Sequence, residues 1–391
     1  MPRLLTHLGT ATLAAVPLLG ALPPLGAESP PRAHEPMQEN TRYPDSFLTR
    51  QNPDRAEVIR RGNTALATRV ATVVEKPRTS PTGNAHDYIS YAIYYWPDPQ
   101  ATDGLPFVPR DGERNEKQVN QGDAPRFRQL FSEVKALAVA WHFTRNADYA
   151  RKAGDWLRAW LVAPETRMTP NLQGAQIRLG HDNNLGQSGG IIDAARLREL
   201  LEAIRLLEHS PALSAADEVA MRAWLNDYYH WLVTSENGRQ ERKKPNNHGT
   251  WYLSQAAGLA AYLGRTSEAR DFLSEARERI GSQIGPDGRQ PLELRRADGF
   301  SYSVYNLDAY FGLALLGEQL GVDLWHYEAP GGGSLRKAID YLLPYSGSDR
   351  TVWPGKQHRT ITGRELDSAI AIADRVWPQA NYARSLARNR P

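Results

Sequence analysis

The 391-residue sequence contains no cysteine. This absence excludes disulfides, thiolate zinc sites, iron–sulfur clusters and cysteine nucleophiles. A strong excess of charge of one sign is also missing, because 47 Lys and Arg face 44 Asp and Glu, a formal net charge of +3. Such a balance is not typical of a nucleic-acid-binding surface, so we expect no nucleic acid among the partners.

Patterns that would bind a metal are also lacking. The 10 histidines include no HxxxH pair, and the HDNN segment at 181–184 has no complementary acidic cluster. We therefore expect neither a metal nor another cofactor.

The most apolar stretch lies at the N-terminus, over residues 11–25, and two small residues follow it. It is short for a membrane span and contains three prolines. The pattern predicts a signal peptide at 1–27, a linker at 28–52 and one folded domain at 53–391. An uncleaved interfacial anchor is the alternative. We expect a periplasmic or secreted protein that does not contact the membrane once the leader is removed.

Beyond the leader, apolar residues recur mainly at helical spacing. This periodicity predicts helices at residues 54–76, 127–145, 148–163, 194–209, 215–233, 250–263, 267–284, 306–320, 334–343 and 367–376. Strand-like stretches are few, at residues 88–95 and 290–294. Short polar joins between the helices indicate stacked hairpins. We predict an all-α fold, an (α/α) toroid or incomplete barrel of helical hairpins with a few short strands and long loops lining a cleft.

One segment with chemical potential reads KKPNNHGTWY, from Lys243 to Tyr252, and leads into an apolar helix. Asn246, Asn247 and His248 bring amide donors and a titratable imidazole to the start of that helix. A helix cap with a surface histidine explains the same residues equally well.

A second segment reads ELRRADGFSYSVYN, from Glu293 to Asn306. Tyr302 and Asn306 share a face if the segment is helical, and Arg295 precedes Tyr302 by seven positions. A guanidinium near a tyrosine hydroxyl lowers its pKa and makes it a usable base. The alternative is a surface arginine and a core tyrosine.

Together these segments resemble a known family. NNH at 246–248, Trp251, and Arg295 seven residues before Tyr302 resemble the catalytic segments of the alginate lyase superfamily, which are helical-toroid polysaccharide lyases. Five blocks also resemble, in order, those of bacterial alginate-lyase-domain proteins that include glucuronan lyases: YYWPDP, GLPFVPRDGERN, GGIIDAARL, TSENG and NNHGTWY.

The resemblance implies cleavage of a β-1,4-linked polyuronate, either alginate (polymannuronate) or glucuronan, by metal-independent syn β-elimination. It implies that Tyr302 transfers protons, that His248 is a second acid/base or a neutraliser, and that Asn247 and Arg295 hold the uronate carboxylate. The best-known alginate lyases have a Tyr-His pair where Ser303 follows Tyr302 here. The role of the tyrosine therefore transfers better than alginate as the substrate.

The resemblance also suggests residues that contact an acidic polysaccharide, the partner we expect. Two loops longer than about 15 residues, at 96–115 and 168–190, are candidates to line its cleft. The predicted substrate-binding residues are Asn246, Trp251, Trp96, Arg110, Arg114, Asn115, Gln173, Gln176, Asn184 and Asn306. For the loop residues, ordinary packing or loop hydrogen bonding is an equal alternative.

Two other functions remain open at this stage. A glycoside hydrolase on a helical toroid would use a carboxylate pair, with Asp182, Asp193 and Asp298 as candidates. Asp193 is also explained as a helix cap or a structural partner of Arg196. A non-catalytic periplasmic polysaccharide-binding protein is the other alternative. The sequence predicts no oligomeric state and does not separate endo from exo action.

Overall fold

A computed structural model of the chain describes residue 48, residues 54–347, residues 350–382 and residue 384. The predicted signal peptide, and the predicted linker apart from Leu48, lie outside the described residues. Within the described ranges, every helix is too short or too polar to cross a membrane.

Helices account for most of the regular structure. They are α1 (Arg55–Ala67), α2 (Glu116–Val119), α3 (Ala124–Thr144), α4 (Ala147–Leu157), α5 (Leu197–Leu206), α6 (Ala215–Thr234), α7 (Glu236–Arg242), α8 (Asn247–Tyr262), α9 (Thr266–Gln283), α10 (Pro291–Leu294), α11 (Gly299–Leu320), α12 (Leu335–Leu342) and α13 (Asp367–Val376). Short 3-10 segments are Val73–Glu75, Asp182–Asn184, Ser188–Ala194, Leu343–Tyr345 and Pro378–Ala380, and a π-helical turn at Arg158–Val162 extends α4.

The helices form an inner row with further helices packed on it. In the inner row, α3, α5, α8 and α11 pack against one another in that order. α4 packs on α3, α9 packs on both α8 and α11, and α12 and α13 pack on α11. Most residues of α8 and α11 are buried, as expected of apolar helices covered on several sides. The predicted all-α fold of stacked hairpins is confirmed.

Two pairs of short strands hold the long loops. β1 (Ile89–Tyr91) pairs in parallel with β4 (Gly174–Ile177), and β2 (Tyr95–Trp96) pairs antiparallel with β3 (Val108–Pro109). The first pair ties the loop at 168–190 to the body, and the second closes the base of the loop at 96–115. The strand predicted at 88–95 is therefore two short strands in separate sheets.

Observed and predicted helix bounds differ most at α1 and between α9 and α11. The helix predicted at 54–76 ends at Ala67, because the backbone becomes extended at Thr68, and Val73–Glu75 is a separate 3-10 segment.

The stretch at 290–294, predicted as extended, is largely the helical turn α10, with Pro291 at its first position, where a proline is well tolerated. α11 begins at Gly299 rather than at residue 306. A Cβ at Gly299 would lie 3.1 Å from the carbonyl oxygen of Leu294, so this glycine permits the close approach of α10 to the start of α11. α7 was not predicted.

Candidate active site

The N-terminal end of α8 is tied to α10 by a buried carboxylate. Asn247, the first residue of α8, is fully buried. Its backbone N–H donates to Glu293 Oε1 at 2.7 Å, and its side-chain Nδ2 donates to Glu293 Oε2 at 2.6 Å. Burial raises the pKa of Glu293, and the two hydrogen bonds from Asn247 oppose that shift. The amide of Asn247 therefore binds Glu293 inside the protein, whereas the sequence-based prediction placed it on the substrate carboxylate.

His248, the next residue, is held by a second buried carboxylate. Its Nδ1 lies 2.5 Å from Oε1 of Glu241, a residue of α7 that is fully buried. The imidazole side chain itself is 25% exposed. A Cβ at Gly189 would lie 3.5 Å from His248 Cε1, so the ring packs against the backbone at this glycine. With Nδ1 occupied by Glu241, Nε2 is the ring nitrogen available to a substrate.

Tyr302 lies in the first turn of α11, between two polar partners. Its hydroxyl accepts a hydrogen bond from Arg296 Nη2 and donates one to the Tyr94 hydroxyl, both at 2.8 Å. The Arg296 guanidinium carbon also lies 3.8 Å from the centre of the Tyr302 ring. Burial and the neighbouring Tyr94 raise the pKa of Tyr302, whereas the charge of Arg296 lowers it. The resting side chain is therefore a neutral phenol.

Arg296 connects this tyrosine to the first long loop. Its Nη2 and Nε donate to the two carboxylate oxygens of Asp111, at 2.6 and 3.2 Å, and the backbone N–H of Ala297 donates to Asp111 Oδ2 at 2.9 Å. Hydrogen bonding from Arg296 lowers the pKa of Asp111. Partial burial would lower the pKa of Arg296, but Asp111 and Tyr302 raise it. The guanidinium therefore stays charged.

The arginine that meets Tyr302 is one residue further along the chain than predicted. Arg295 is exposed, and Arg296 makes the contact expected of it. The prediction took Arg295 as the partner from its seven-residue spacing to Tyr302. The chain instead turns between α10 and α11, because α11 begins only at Gly299, and this turn directs Arg296 towards the phenol.

The two helix ends belong to one site. Besides the effect of burial and of Asn247, the charges of Arg296 and of His248 both act on the Glu293 carboxylate and lower its pKa. The side chains of Arg296 and His248 are therefore near the Glu293 carboxylate, which Asn247 of the α8 end binds directly. The site combines a phenol, a guanidinium and an imidazole with the buried carboxylates of Glu241 and Glu293.

Residues predicted in the first loop lie close to this site but bind one another. Trp96 is partly exposed, and its Nε1 donates to the carbonyl oxygen of Glu113 at 2.9 Å. The guanidinium carbon of Arg110 lies 5.5 Å from the centre of the Trp96 ring. Arg114 donates to Glu116 at 2.6 Å, and Asn115 caps α2. Trp96 and Arg110 thus form a stacked pair on the strands that border the loop, while Arg114 and Asn115 stabilise its end.

The residues predicted in the second loop separate into exposed and supporting positions. Gln173 and Asn184 are exposed, and Asn184 accepts a hydrogen bond from the Gly180 N–H at 2.7 Å. Gln176 donates through Nε2 to Asp193 Oδ1 at 3.0 Å. Of these three residues, Gln173 and Asn184 are exposed, whereas Gln176 supports Asp193.

Two residues predicted to bind substrate, Trp251 and Asn306, support the helices instead. A third, Asn246, is at the N-cap position of α8. Trp251 is 4% exposed and packs on Tyr305, with ring centres 4.8 Å apart. Asn306 is fully buried and donates to Gln283 and Gln290 at 2.9 and 2.8 Å. One helical turn beyond Tyr302, Asn306 has entered the core, which is why it does not share the access of the tyrosine. Asn246 is partly exposed at the start of α8.

Four functional candidates were missed by the sequence analysis: Tyr94, Asp111, Glu241 and Glu293. Glu241 lies seven residues before His248, and Glu293 lies three residues before Arg296, so both were visible as acidic residues near the predicted motifs. Tyr94 and Asp111 lie in the YYWPDP and GLPFVPRDGERN blocks, but nothing in those blocks shows that their side chains reach Tyr302 and Arg296.

The carboxylates considered for a hydrolase each have structural partners. Asp182 binds Arg178, and Asp298 accepts hydrogen bonds from the His358 and Arg359 backbones at 3.0 and 2.8 Å. Asp193 accepts hydrogen bonds from Tyr88 at 2.9 Å and from Ser90. The suggested pairing of Asp193 with Arg196 is not observed, since Arg196 binds Glu199 at 2.9 Å.

Comparison with known proteins identifies similar chains. The alginate lyase family model matches residues 72–353. The crystal structure of an alginate lyase from Bacteroides ovatus aligns with a TM-score of 0.82 and 31% identity, over 87% of this chain and 90% of that one. Alginate lyase A1-III from Sphingomonas species A1 aligns with a TM-score of 0.51 and 13% identity, over 85% and 88% of the two chains, a likeness of fold alone. A search of curated proteins found no significant match. The structural matches confirm the predicted (α/α) toroid.

Proposed function

The chain belongs to the alginate lyase family and is a polysaccharide lyase, and from this premise we propose that it cleaves a β-1,4-linked polyuronate by syn β-elimination, with Tyr302 as base and then as acid. The observation that carries the proposal is the 2.8 Å hydrogen bond from Arg296 to the Tyr302 hydroxyl, beside the helix end that bears His248. Polymannuronate and glucuronan are the substrates we propose.

The reaction first needs the uronate carboxylate to be neutralised. The C5 proton of a uronate becomes removable near neutral pH only when the developing negative charge on the carboxyl group is stabilised. Arg296 supplies donors for this carboxyl group, since its side chain is partly exposed, and the partly exposed imidazole of His248 is the second acid/base.

Proton transfer then falls to Tyr302. As the phenolate, its oxygen takes the C5 proton, the C5–H electrons form the C4=C5 double bond, and the C4–O bond breaks. The phenol that results returns its proton to the departing O4 oxygen, so the group ends as it began. In β-linked mannuronate and glucuronate, H5 and O4 lie on the same side of the ring, and one residue can serve both steps.

Formation of the phenolate sets the pH dependence. Burial raises the pKa of Tyr302, and Arg296 partly offsets this shift by stabilising the negative oxygen. The phenolate fraction therefore increases as the pH rises, and we expect kcat/KM to increase from neutral towards alkaline pH. A rate that falls over that interval would contradict a tyrosinate base.

The central experiment is a substrate panel with matched variants. The protein is offered polymannuronate, polyguluronate, glucuronan and hyaluronan, and the absorbance of the conjugated unsaturated uronate is recorded. We expect product from polymannuronate or glucuronan and none from the Tyr302→Phe protein, whose fold and substrate binding persist. Tyr310→Phe is the matched control, because this tyrosine lies deep in the same helix α11, and it should remain active.

Other outcomes identify the competing functions. Shorter chains without new absorbance would indicate a glycoside hydrolase, since hydrolysis creates no double bond. Substrate binding without any cleavage would indicate a binding protein. Undiminished product formation by Tyr302→Phe would remove the tyrosine from the mechanism.

We also propose a periplasmic or secreted location, on the basis of the predicted leader at residues 1–27. A protein expressed with its native N-terminus in a Gram-negative host should be recovered from the periplasm or medium, with cleavage at the end of that leader. Recovery from the cytosol with the leader still present would contradict the proposal.

A further inference from the structure

Glu241 is a buried carboxylate that contacts the imidazole of His248. Its side chain is fully buried in α7, and Oε1 lies 2.5 Å from Nδ1 of His248. The second oxygen, Oε2, is buried and has no hydrogen-bond partner in the described part of the chain. A buried polar atom left without a partner destabilises a protein, because its interactions with water are lost and not replaced. A residue kept at this cost calls for a role other than packing.

The position of α7 does not depend on this carboxylate. The helix is capped by Ser235, whose hydroxyl accepts a hydrogen bond from the Gly238 N–H at 3.0 Å. It also packs on α6, on α8 and on the 3-10 segment Ser188–Ala194. These contacts hold the helix in place by backbone capping and close packing, and none of them requires a negative charge at position 241.

We propose that Glu241 is a positioning residue that sets the orientation and the tautomer of His248. An ionised carboxylate can only accept hydrogen bonds, so the hydrogen in this contact is on Nδ1. In the neutral imidazole, Nε2 is then the unprotonated nitrogen, and it is the ring nitrogen that does not contact Glu241. Carboxylates behind functional histidines act in this way in many enzymes. The inference rests on the proposed lyase function.

Loss of the contact should affect turnover more than binding. Without Glu241, the ring of His248 can rotate and can adopt the other tautomer, with the hydrogen on Nε2. The substrate carboxylate would still meet Arg296, so most of the binding energy remains. A wrongly oriented imidazole would then lower kcat while KM changes little.

A double-mutant cycle tests this coupling. The variants are Glu241→Ala, His248→Ala and the double variant, with the rate of unsaturated product as the readout. We expect Glu241→Ala to lower kcat by about 10–100-fold, with KM changed by less than about threefold. In the His248→Ala background the same change should alter kcat by less than about twofold, because the group through which it acts is gone.

Two further variants separate positioning from general damage. Glu241→Gln keeps an oxygen that can accept from Nδ1, so it should restore most of the lost turnover. Glu236→Ala is the matched control, because Glu236 lies exposed on the same helix, where it binds Arg239. The Glu236→Ala protein should have the kcat and KM of the unchanged protein. If the losses in the cycle are additive, or if Gln restores nothing, Glu241 does not act through His248 and the inference is wrong.

A measurement on the unchanged protein covers the case in which Glu241→Ala does not fold. The ¹⁵N resonances of His248, identified by their absence from His248→Ala, should show a hydrogen on Nδ1. An unprotonated Nδ1 would overturn the inference. This readout does not need turnover, so a protein that forms no unsaturated product would refute the proposed function while leaving the Glu241 contact to be judged separately.

Discussion

The N-terminal ends of α8 and α11 both face the site, but they are built differently. At the α8 end, Asn247 and His248 bind Glu293 and Glu241, which are buried acids 46 and 7 positions away. At the α11 end, Arg296 binds Asp111 across 185 positions, and Tyr302 binds Tyr94 across 208. The partners at this second end come from a long loop and its flank, and Asp111 is exposed.

The α8 end is therefore held more rigidly than the α11 end. Buried carboxylates on helices give the α8 end partners that cannot leave without exposing unsatisfied donors. The loop partners of the α11 end are solvated, and their contacts are cheaper to break. Asn247 and His248 are thus held by buried acids, whereas the contacts of Arg296 and Tyr302 depend on a long loop and its flank.

The largest effect that can test this comparison is expected at Arg296. Arg296→Ala removes both the positive charge next to Tyr302 and a donor for the substrate carboxylate, so we expect kcat/KM to fall by about 10²–10³-fold. Arg295→Ala is the matched control, because this neighbour is exposed, and its rate should stay within about threefold. Rates are measured by the absorbance of unsaturated product. Equal losses in the two variants would return the role to Arg295.

The second prediction concerns stability and compares an acid from each end. Glu293→Ala leaves two buried donors of Asn247 without an acceptor, so we expect the free energy of unfolding to fall by about 2–4 kcal/mol. Asp111→Ala removes an exposed partner, and we expect a loss of at most about 1 kcal/mol. Urea unfolding followed by circular dichroism measures both. A larger loss for Asp111→Ala would reverse the assignment of rigid and adaptable ends.

The smallest effect is expected at Tyr94. Its hydroxyl raises the pKa of Tyr302, which is already raised by burial. Tyr94→Phe removes that contribution, so the phenolate forms at lower pH and the rise of kcat/KM should move towards neutral pH by less than about one unit. The kcat on the alkaline plateau should change by only a few-fold. A shift of the rise to higher pH would show that Tyr94 stabilises the phenolate instead.

Local patterns predicted much of the fold. The periodicity placed α6 and α13 almost to the residue, since apolar spacing and caps such as Ser214 are properties of neighbouring positions. Helix α7 was overlooked because its residues are mostly charged or polar.

As with the fold, local patterns predicted part of the site. His248 and Tyr302 were identified because each lies in a short motif that resembles a family block. Arg295 was chosen in place of Arg296 because its seven-residue spacing to Tyr302 resembles the family pattern. That spacing does not show which arginine faces the phenol after the turn between α10 and α11. Asn306 was expected at the cleft and lies in the core, since nothing local shows how deep a helix enters the bundle.

The amino-acid order by itself determined the helical hairpins, the family and the two segments that carry the imidazole and the phenol, because these depend on residues a few positions apart. Only the tertiary structure decided which arginine meets the phenol, which acids stand behind Asn247 and His248, and which loop residues approach them. Those contacts join positions up to 208 apart, and their existence depends on where buried helices end relative to one another.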